Sequence, residues 1–247
     1  MALKDRLRQI KRSVKRNLGE LKKIRNANKD TLYLSFGENC LTDNILSRYH
    51  IKSYSTPYSS GRSNIEYILQ LEKNRFKDFL NTEYMNYAFV DNVKVVRLNL
   101  YKEISNEYAD LHMNGFEFTH HDVIGDSKLR ETFERRFQRL LNINKKLCIF
   151  YHSRYNQKTN EKMLIGHLKE LKSLYEERTN MPVNVIMFTQ VIIEDDAERR
   201  VTHDIENGIH VYKFHVKNIW GGTDQDIFWA RCDDDLIKTM IEDVKKL

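Results

Sequence analysis

Proline is nearly missing from this sequence, with 2 residues, and glycine is scarce, with 9. Average usage over this length would give about 12 and about 17. That excludes collagen-like, Gly/Ser-linker and Pro-rich disordered chains, and it argues against a sandwich or barrel built on Gly/Pro turns. Long apolar runs are missing too. The longest uncharged apolar-leaning stretch, Pro182 to Ile193, has 12 residues, and a membrane-spanning helix needs about 20. No apolar stretch follows the basic N-terminus, so no secretory leader is expected. Cysteine is sparse: Cys40, Cys148 and Cys232 are odd in number and far apart. This is neither a disulfide framework nor a zinc spacing, so a reducing cytoplasm is the expected compartment and no metal site is expected. There is no GxGxxG, Walker A, GxSxG or HExxH motif. Their absence argues against a dinucleotide enzyme, a P-loop NTPase, a typical serine hydrolase and a zincin.

What the sequence does have is charge, unevenly placed. Residues 1–30 hold 11 Lys/Arg and 3 Asp/Glu, a net of +8. The remaining 217 residues hold 30 and 32, a net of −2. The basic character belongs to one segment, and the body shows no zinc finger, RNP motif or basic recognition helix, so nucleic acid is not an expected partner. Within the segment Leu3, Leu7, Ile10, Val14, Leu18, Leu21 and Ile24 recur at steps of three or four. That is the period of an amphipathic helix. A basic face of this kind suits an anionic membrane surface; packing on its own domain or on a second copy of the chain is the alternative.

From Thr31 the pattern changes to apolar strands alternating with helices. Strands are predicted at 31–36, 93–100, 147–151, 183–189 and 209–216, with a short strand or loop at 116–123. Helices are predicted at 40–49, 64–79, 128–141, 161–177 and 234–244. This alternation predicts an α/β fold: a single three-layer domain over residues 31–247 with a largely parallel sheet, behind the basic helix of residues 1–30.

In such sheets ligands sit beyond the carboxyl ends of the strands, and three predicted strand ends carry unusual residues. At Ser35-Phe36-Gly37-Glu38-Asn39-Cys40 a strand runs into a glycine turn, and a cysteine opens the next helix. Free N–H groups and the helix dipole there lower a thiol pKa, which makes Cys40 a candidate nucleophile. Gly37 would allow close backbone approach, and Ser35, Asn39 and the turn N–H groups are candidates to hold an oxyanion or substrate. Cys40 as a small buried apolar residue is the competing reading; Cys148 and Cys232 read as structural. At Thr119-His120-His121-Asp122 a histidine could take the thiol proton and Asp122 could orient it. Strand alternation lets only one of His120 and His121 face the site; surface histidines, or a metal site with His152 and an acid, are the alternatives. At Trp220-Gly221-Gly222-Thr223-Asp224 a polar loop could close over a site with Asp224 orienting a histidine, or be a turn and helix cap. Arg135, Arg136 and Arg139 share one helix, as a solvated face or an anion site.

The runs SFGENCLTDNIL, SYSTPYSS, FTHHDV, ERRFQRLL and KLCIFYHSR together resemble the bacterial family of unknown function labelled papain-like cysteine peptidases. The resemblance covers roughly residues 31–155. It implies Cys40 as nucleophile, His121 or His120 as base and Asp122 as orienter. The sequence departs at Pro57-Tyr58-Ser59-Ser60, where the family tends to have Pro-Phe-Asp-Trp. The expected function is thiol-dependent acyl transfer, as a peptidase or hydrolase or as an acyltransferase of bacterial capsule or surface-glycan synthesis. No cofactor is required, an acyl donor such as acyl-CoA is compatible, and the substrate is a glycan or peptide. The expected location is cytoplasmic, on the inner face of the cell membrane through residues 1–30. A non-catalytic binding or scaffold protein of glycan assembly, and a glycosyl or phosphoryl transferase, are the competing classes.

Overall fold

The computed structural model describes residues 30–90, 92–101 and 115–247. The predicted basic helix of residues 1–30 therefore lies outside the described residues but for its last position. The first strand, β1 (Thr31–Gly37), leads through a short turn to helix α1 (Leu41–Arg48). A single 3-10 turn (Pro57–Ser60) and helix α2 (Ile65–Lys73) follow. Next come β2 (Met85–Val90), β3 (Val93–Leu98), β4 (Phe116–Phe118) and helix α3 (Ser127–Leu141). The chain continues through β5 (Lys146–His152), α4 (Glu161–Thr179), β6 (Val183–Ile192), β7 (Arg200–Glu206) and β8 (Ile209–Val216). It closes with the one-turn α5 (Gln225–Phe228) and α6 (Asp234–Val244).

Five strands form the main sheet in the order β1-β5-β6-β8-β7. The first four are parallel, and β7 is antiparallel to β8. The largely parallel sheet agrees with the sequence pattern; a second, antiparallel sheet in the order β2-β3-β4 is an addition to it. Successive strand residues point to opposite faces, so each central strand serves two cores. Leu34, Ile149 and Val185 pack with Ile68 of α2, Phe133 of α3 and Leu168 of α4. Tyr33, Phe150 and Ile186 pack with Ile45 of α1 and Ile237 and Ile241 of α6. Apolar residues on both faces explain why these strands read as continuous hydrophobic runs.

β1 is an edge strand, and the segment after α1 satisfies its free side. Ser53 Oγ accepts from Tyr33 N at 2.9 Å, Ser53 N donates to the Tyr33 carbonyl at 3.1 Å, and Thr56 Oγ1 donates to the Ser35 carbonyl at 2.9 Å. This covering blocks pairing with another chain and fixes the 3-10 turn beside the end of β1.

Two predicted elements change. The helix expected at 64–79 ends at Lys73, and Arg75, Phe76 and Asp78 take positive φ of 52°, 58° and 60°. Arg178 Nη2 donates to the Glu72 carbonyl at 3.0 Å, as does Arg75 N at 3.1 Å. The carbonyl is thereby withdrawn from a continuing helical ladder. Phe76 and Phe79 still enter the core, from a tight turn rather than a helix. The helix expected at 40–49 starts at Leu41, with Cys40 as its N-cap.

Candidate active site

The carboxyl ends of the parallel strands meet at one edge of the sheet, and Gly37 of β1 lies directly beside His152 of β5. Gly37 has φ +132°, and a Cβ on it would fall 2.8 Å from both the His152 nitrogen and carbonyl oxygen. Its lack of a side chain thus serves the close approach of β5 rather than that of a ligand.

Three consecutive residues beyond Gly37 are tied to β5 or to the start of α1. Glu38 is fully buried. Its carboxyl accepts from Tyr151 Oη at 3.2 Å and from Arg154 N at 2.9 Å. Burial dominates these bonds and pushes its pKa up to about 7. Asn39 accepts at Oδ1 from Leu41 N at 3.1 Å, and the same atom lies 3.0 Å from His152 Nδ1. An amide oxygen is only an acceptor, so Nδ1 carries the proton and Nε2 keeps its lone pair. Cys40 then caps α1. The first bond of the helical ladder is Asn44 N to the Cys40 carbonyl, at 3.1 Å. The N–H groups of Thr42 and Asp43 precede that bond at the open helix end.

His152 is 1% exposed, its ring stacks on Phe188 at 4.9 Å and lies 5.9 Å from Trp220. Its Nε2 has no hydrogen-bond partner, and neither do the buried hydroxyls of the adjacent Ser153 and of Thr42 in α1. Burial, and secondarily Arg154, pull its pKa down to about 3. The imidazole is therefore neutral at pH 7. The Cys40 thiol is half-buried, and burial pushes its pKa up; Arg62 opposes this and Asp43 adds to it. This differs from the expectation of a lowered thiol: removal from water outweighs the backbone N–H of Cys40 and the Arg62 charge that favour the thiolate. Cys148 is buried with its thiol pushed far up, and Cys232 is exposed with a pKa raised to about 11 by burial and Asp233.

The other sequence candidates fall in different places. Ser35 Oγ donates to Asp43 Oδ1 at 3.0 Å and is 2.8 Å from Ser59 Oγ, so its hydroxyl is engaged within the turn. His120, His121 and Asp122 line a cavity of about 350 Å³ with Tyr87 and Lys94 of the small sheet. Asp122 accepts from Tyr87 Oη and Gly125 N, each at 2.9 Å. Arg136 and His120 act on His121, Arg62 and Asp43 act on Cys40, and Asp43 also acts on Arg136, so the two groups share a charged neighbourhood; His121 Nδ1, like His152 Nε2, is buried without a hydrogen-bond partner. Among the described residues no hydrogen bond or ion pair joins this run to the Cys40 turn. Asp224 is the N-cap of α5, its Oδ1 accepting from Asp226 N at 2.8 Å and Ile227 N at 3.2 Å. The preceding Trp220 is what reaches the site: its buried ring donates from Nε1 to Asp233 Oδ2 at 2.8 Å, and its backbone N–H donates to Gln190 Oε1 at 2.9 Å. Among the described residues no group of three or more His, Cys, Asp or Glu is placed to hold a metal ion.

The strand–turn–helix presents Cys40 at the carboxyl end of a mostly parallel sheet, with the buried His152 imidazole tied to the same turn. The chain belongs to the family described as "Putative papain-like cysteine peptidase (DUF1796)", whose model matches residues 31–194, about two-thirds of its length. The matched span holds the Cys40 turn, His152 and the small sheet; Trp220 lies beyond it. No curated protein and no solved structure matches the chain.

Proposed function

We propose that the chain is a thiol-dependent acyl-transfer enzyme in which Cys40 is the nucleophile, His152 its general base and Asn39 the residue that orients the base. The observation that carries this reading is the Asn39–His152 hydrogen bond. It fixes the protonated nitrogen of the one histidine tied to the Cys40 turn and leaves Nε2 as an unpartnered buried acceptor. Membership of a family described as cysteine peptidases supports the same chemistry.

In the reaction the Cys40 Sγ–H proton passes to His152 Nε2 as sulfur attacks the acyl carbonyl. The open N–H groups of Thr42 and Asp43 hold the oxyanion. The imidazolium returns its proton to the leaving group, which departs and leaves a thioester on Sγ. Water resolves the thioester in the hydrolytic case; a glycan hydroxyl or peptide amine does so in the transfer case. A raised thiol and a lowered imidazole both favour the neutral pair at rest. Proton transfer then belongs to the transition state rather than to a preformed ion pair. Both the surface-glycan acceptor and the inner membrane face as the place of action belong to this reading.

A substitution series on the full chain tests it, with p-nitrophenyl acetate turnover as the readout. Cys40→Ala is expected to abolish turnover. His152→Ala should lower kcat by roughly 10²–10⁴-fold, the usual contribution of a general base. His121→Ala should leave it close to wild type. Full activity in His152→Ala with loss in His121→Ala would reassign the base.

A further inference from the structure

Of Arg135, Arg136 and Arg139 on α3, the fold separates one from the other two. Arg136 turns inward: its Nη1 donates to Ser60 Oγ at 2.8 Å and its guanidinium lies over Phe133 at 4.8 Å. Arg135 and Arg139, one helical turn apart, instead line a groove of about 600 Å³ together with Lys145. Its apolar part is Leu32, Tyr54 and Ile143, and no lining residue is Asp or Glu. Arg139 lies over the Tyr54 ring, 5.8 Å from its centroid, and Arg135 donates to the neutral Thr132 hydroxyl at 2.9 Å. Among the described residues neither guanidinium has a carboxylate partner. Glu131 stands one turn before Arg135 and does not pair with it. The helix C-terminus contributes about half a negative charge, which a single arginine in the last turn would answer. The two guanidinium groups exceed it. The volume lies within the range of small-ligand sites, roughly 300–1,000 Å³.

The groove's place is equally specific. Leu32 is the second residue of β1 and Lys145 immediately precedes β5. It therefore opens at the amino ends of the parallel strands, at the far end of β1 from the Cys40 turn. That is also where the +8 segment of residues 1–30 joins the body.

We propose that this groove binds a phosphate ester, its anionic oxygens between Arg135 and Arg139 and its carbon portion against Tyr54 and Leu32. Guanidinium groups give phosphate two parallel donors, and the apolar floor accepts a glycerol-like or longer chain. The proposal is independent of the acyl-transfer reading. A lipid headgroup and a free phosphate ester share this chemistry, so the test has two arms.

The full-length Arg135→Gln/Arg139→Gln variant is compared with wild type in sedimentation with phosphatidylglycerol/phosphatidylcholine vesicles. A second comparison titrates glycerol 3-phosphate by calorimetry. Residues 1–30 are present in both proteins, so their contribution cancels. A Lys238→Gln/Lys246→Gln variant, altered on exposed side chains of the C-terminal region, removes the same net charge elsewhere. At about a tenfold effect per 1.4 kcal/mol and about 1 kcal/mol per surface cation, the arginine variant should lose about thirtyfold in vesicle affinity. A loss in the calorimetric arm as well identifies a free phosphate ester; a loss confined to vesicles identifies a lipid headgroup. Unchanged binding in both arms, or an equal loss in the lysine control, overturns the proposal.

Discussion

Glu38 and His152 are neighbours of the same turn with opposed titrations. Glu38 is raised from its ordinary 4.5 to about 7, so the folded state holds its proton where the unfolded chain releases it. Its contribution to stability is complete below pH 4.5 and is lost as pH rises through 7. His152 is lowered from 6.5 to about 3. Its contribution is complete above pH 6.5 and is lost as pH falls through 3. Between pH 4.5 and 6.5 the two slopes cancel, each being up to about 1.4 kcal/mol per pH unit. Glu38→Gln should therefore gain stability relative to wild type as pH rises from 4.5 to 7. His152→Gln should lose stability relative to wild type as pH rises from 3 to 6.5. Urea unfolding at half-unit pH steps measures both, and differences that stay flat with pH would mean that the two groups titrate normally.

The turn that brings these residues together depends on how two elements approach. A side chain on Gly37 would meet the His152 backbone at 2.8 Å and would have to hold φ +132°. Gly37→Ala is expected to cost at least about 2 kcal/mol, from left-handed strain and overpacking together. Gly166 offers the contrast. It is exposed within α4, a Cβ there meets nothing within 4 Å, and its alanine variant should gain about 0.5–1 kcal/mol. Equal effects in a denaturation midpoint would contradict the assigned packing of β1 on β5. Elements of this kind were legible to different degrees. The buried strands β1, β5, β6 and β8 announced themselves because both faces are apolar. β2 and β7 did not: Met85–Val90 exposes half its residues, and Arg200–Glu206 is largely charged and exposed. The Asn207-Gly208 pair, with φ of 52° and 77°, is a two-residue hairpin signal that joins β7 to β8 and could have exposed β7. Cys40 stood out by its place after a strand and a glycine. His152 reads from the sequence only as a metal-site partner or fallback base, because it closes an apolar strand and its link to Asn39 spans 113 positions. His120 and His121 drew attention through adjacency to Asp122, and the fold places all three at a cavity beside Tyr87 and Lys94. The buried carboxyl of Glu38 has no local signature at all, since only the packing of Tyr151 and Arg154 over it removes water.

At the scale of the whole molecule, one sheet separates two polar regions. The carboxyl ends of β1 and β5 carry the Cys40 turn, and their amino ends carry the basic groove. Among the described residues no helix is long and apolar enough to cross a membrane. An enzyme so arranged would hold an anionic surface at one end of its strands and do covalent chemistry at the other. The covalent step is the central claim, and the intact mass of the protein reads it directly. After brief exposure of the full chain to p-nitrophenyl acetate at pH 7 and quenching in acid, one acetyl group should be present. Peptide mapping should place it on Cys40, with little on Cys232 and none on Cys148. His152→Ala should slow its appearance by the same factor as turnover. An acetyl group on Cys232 or a lysine at the same rate in wild type and Cys40→Ala, with Cys40 unmodified, would contradict the account.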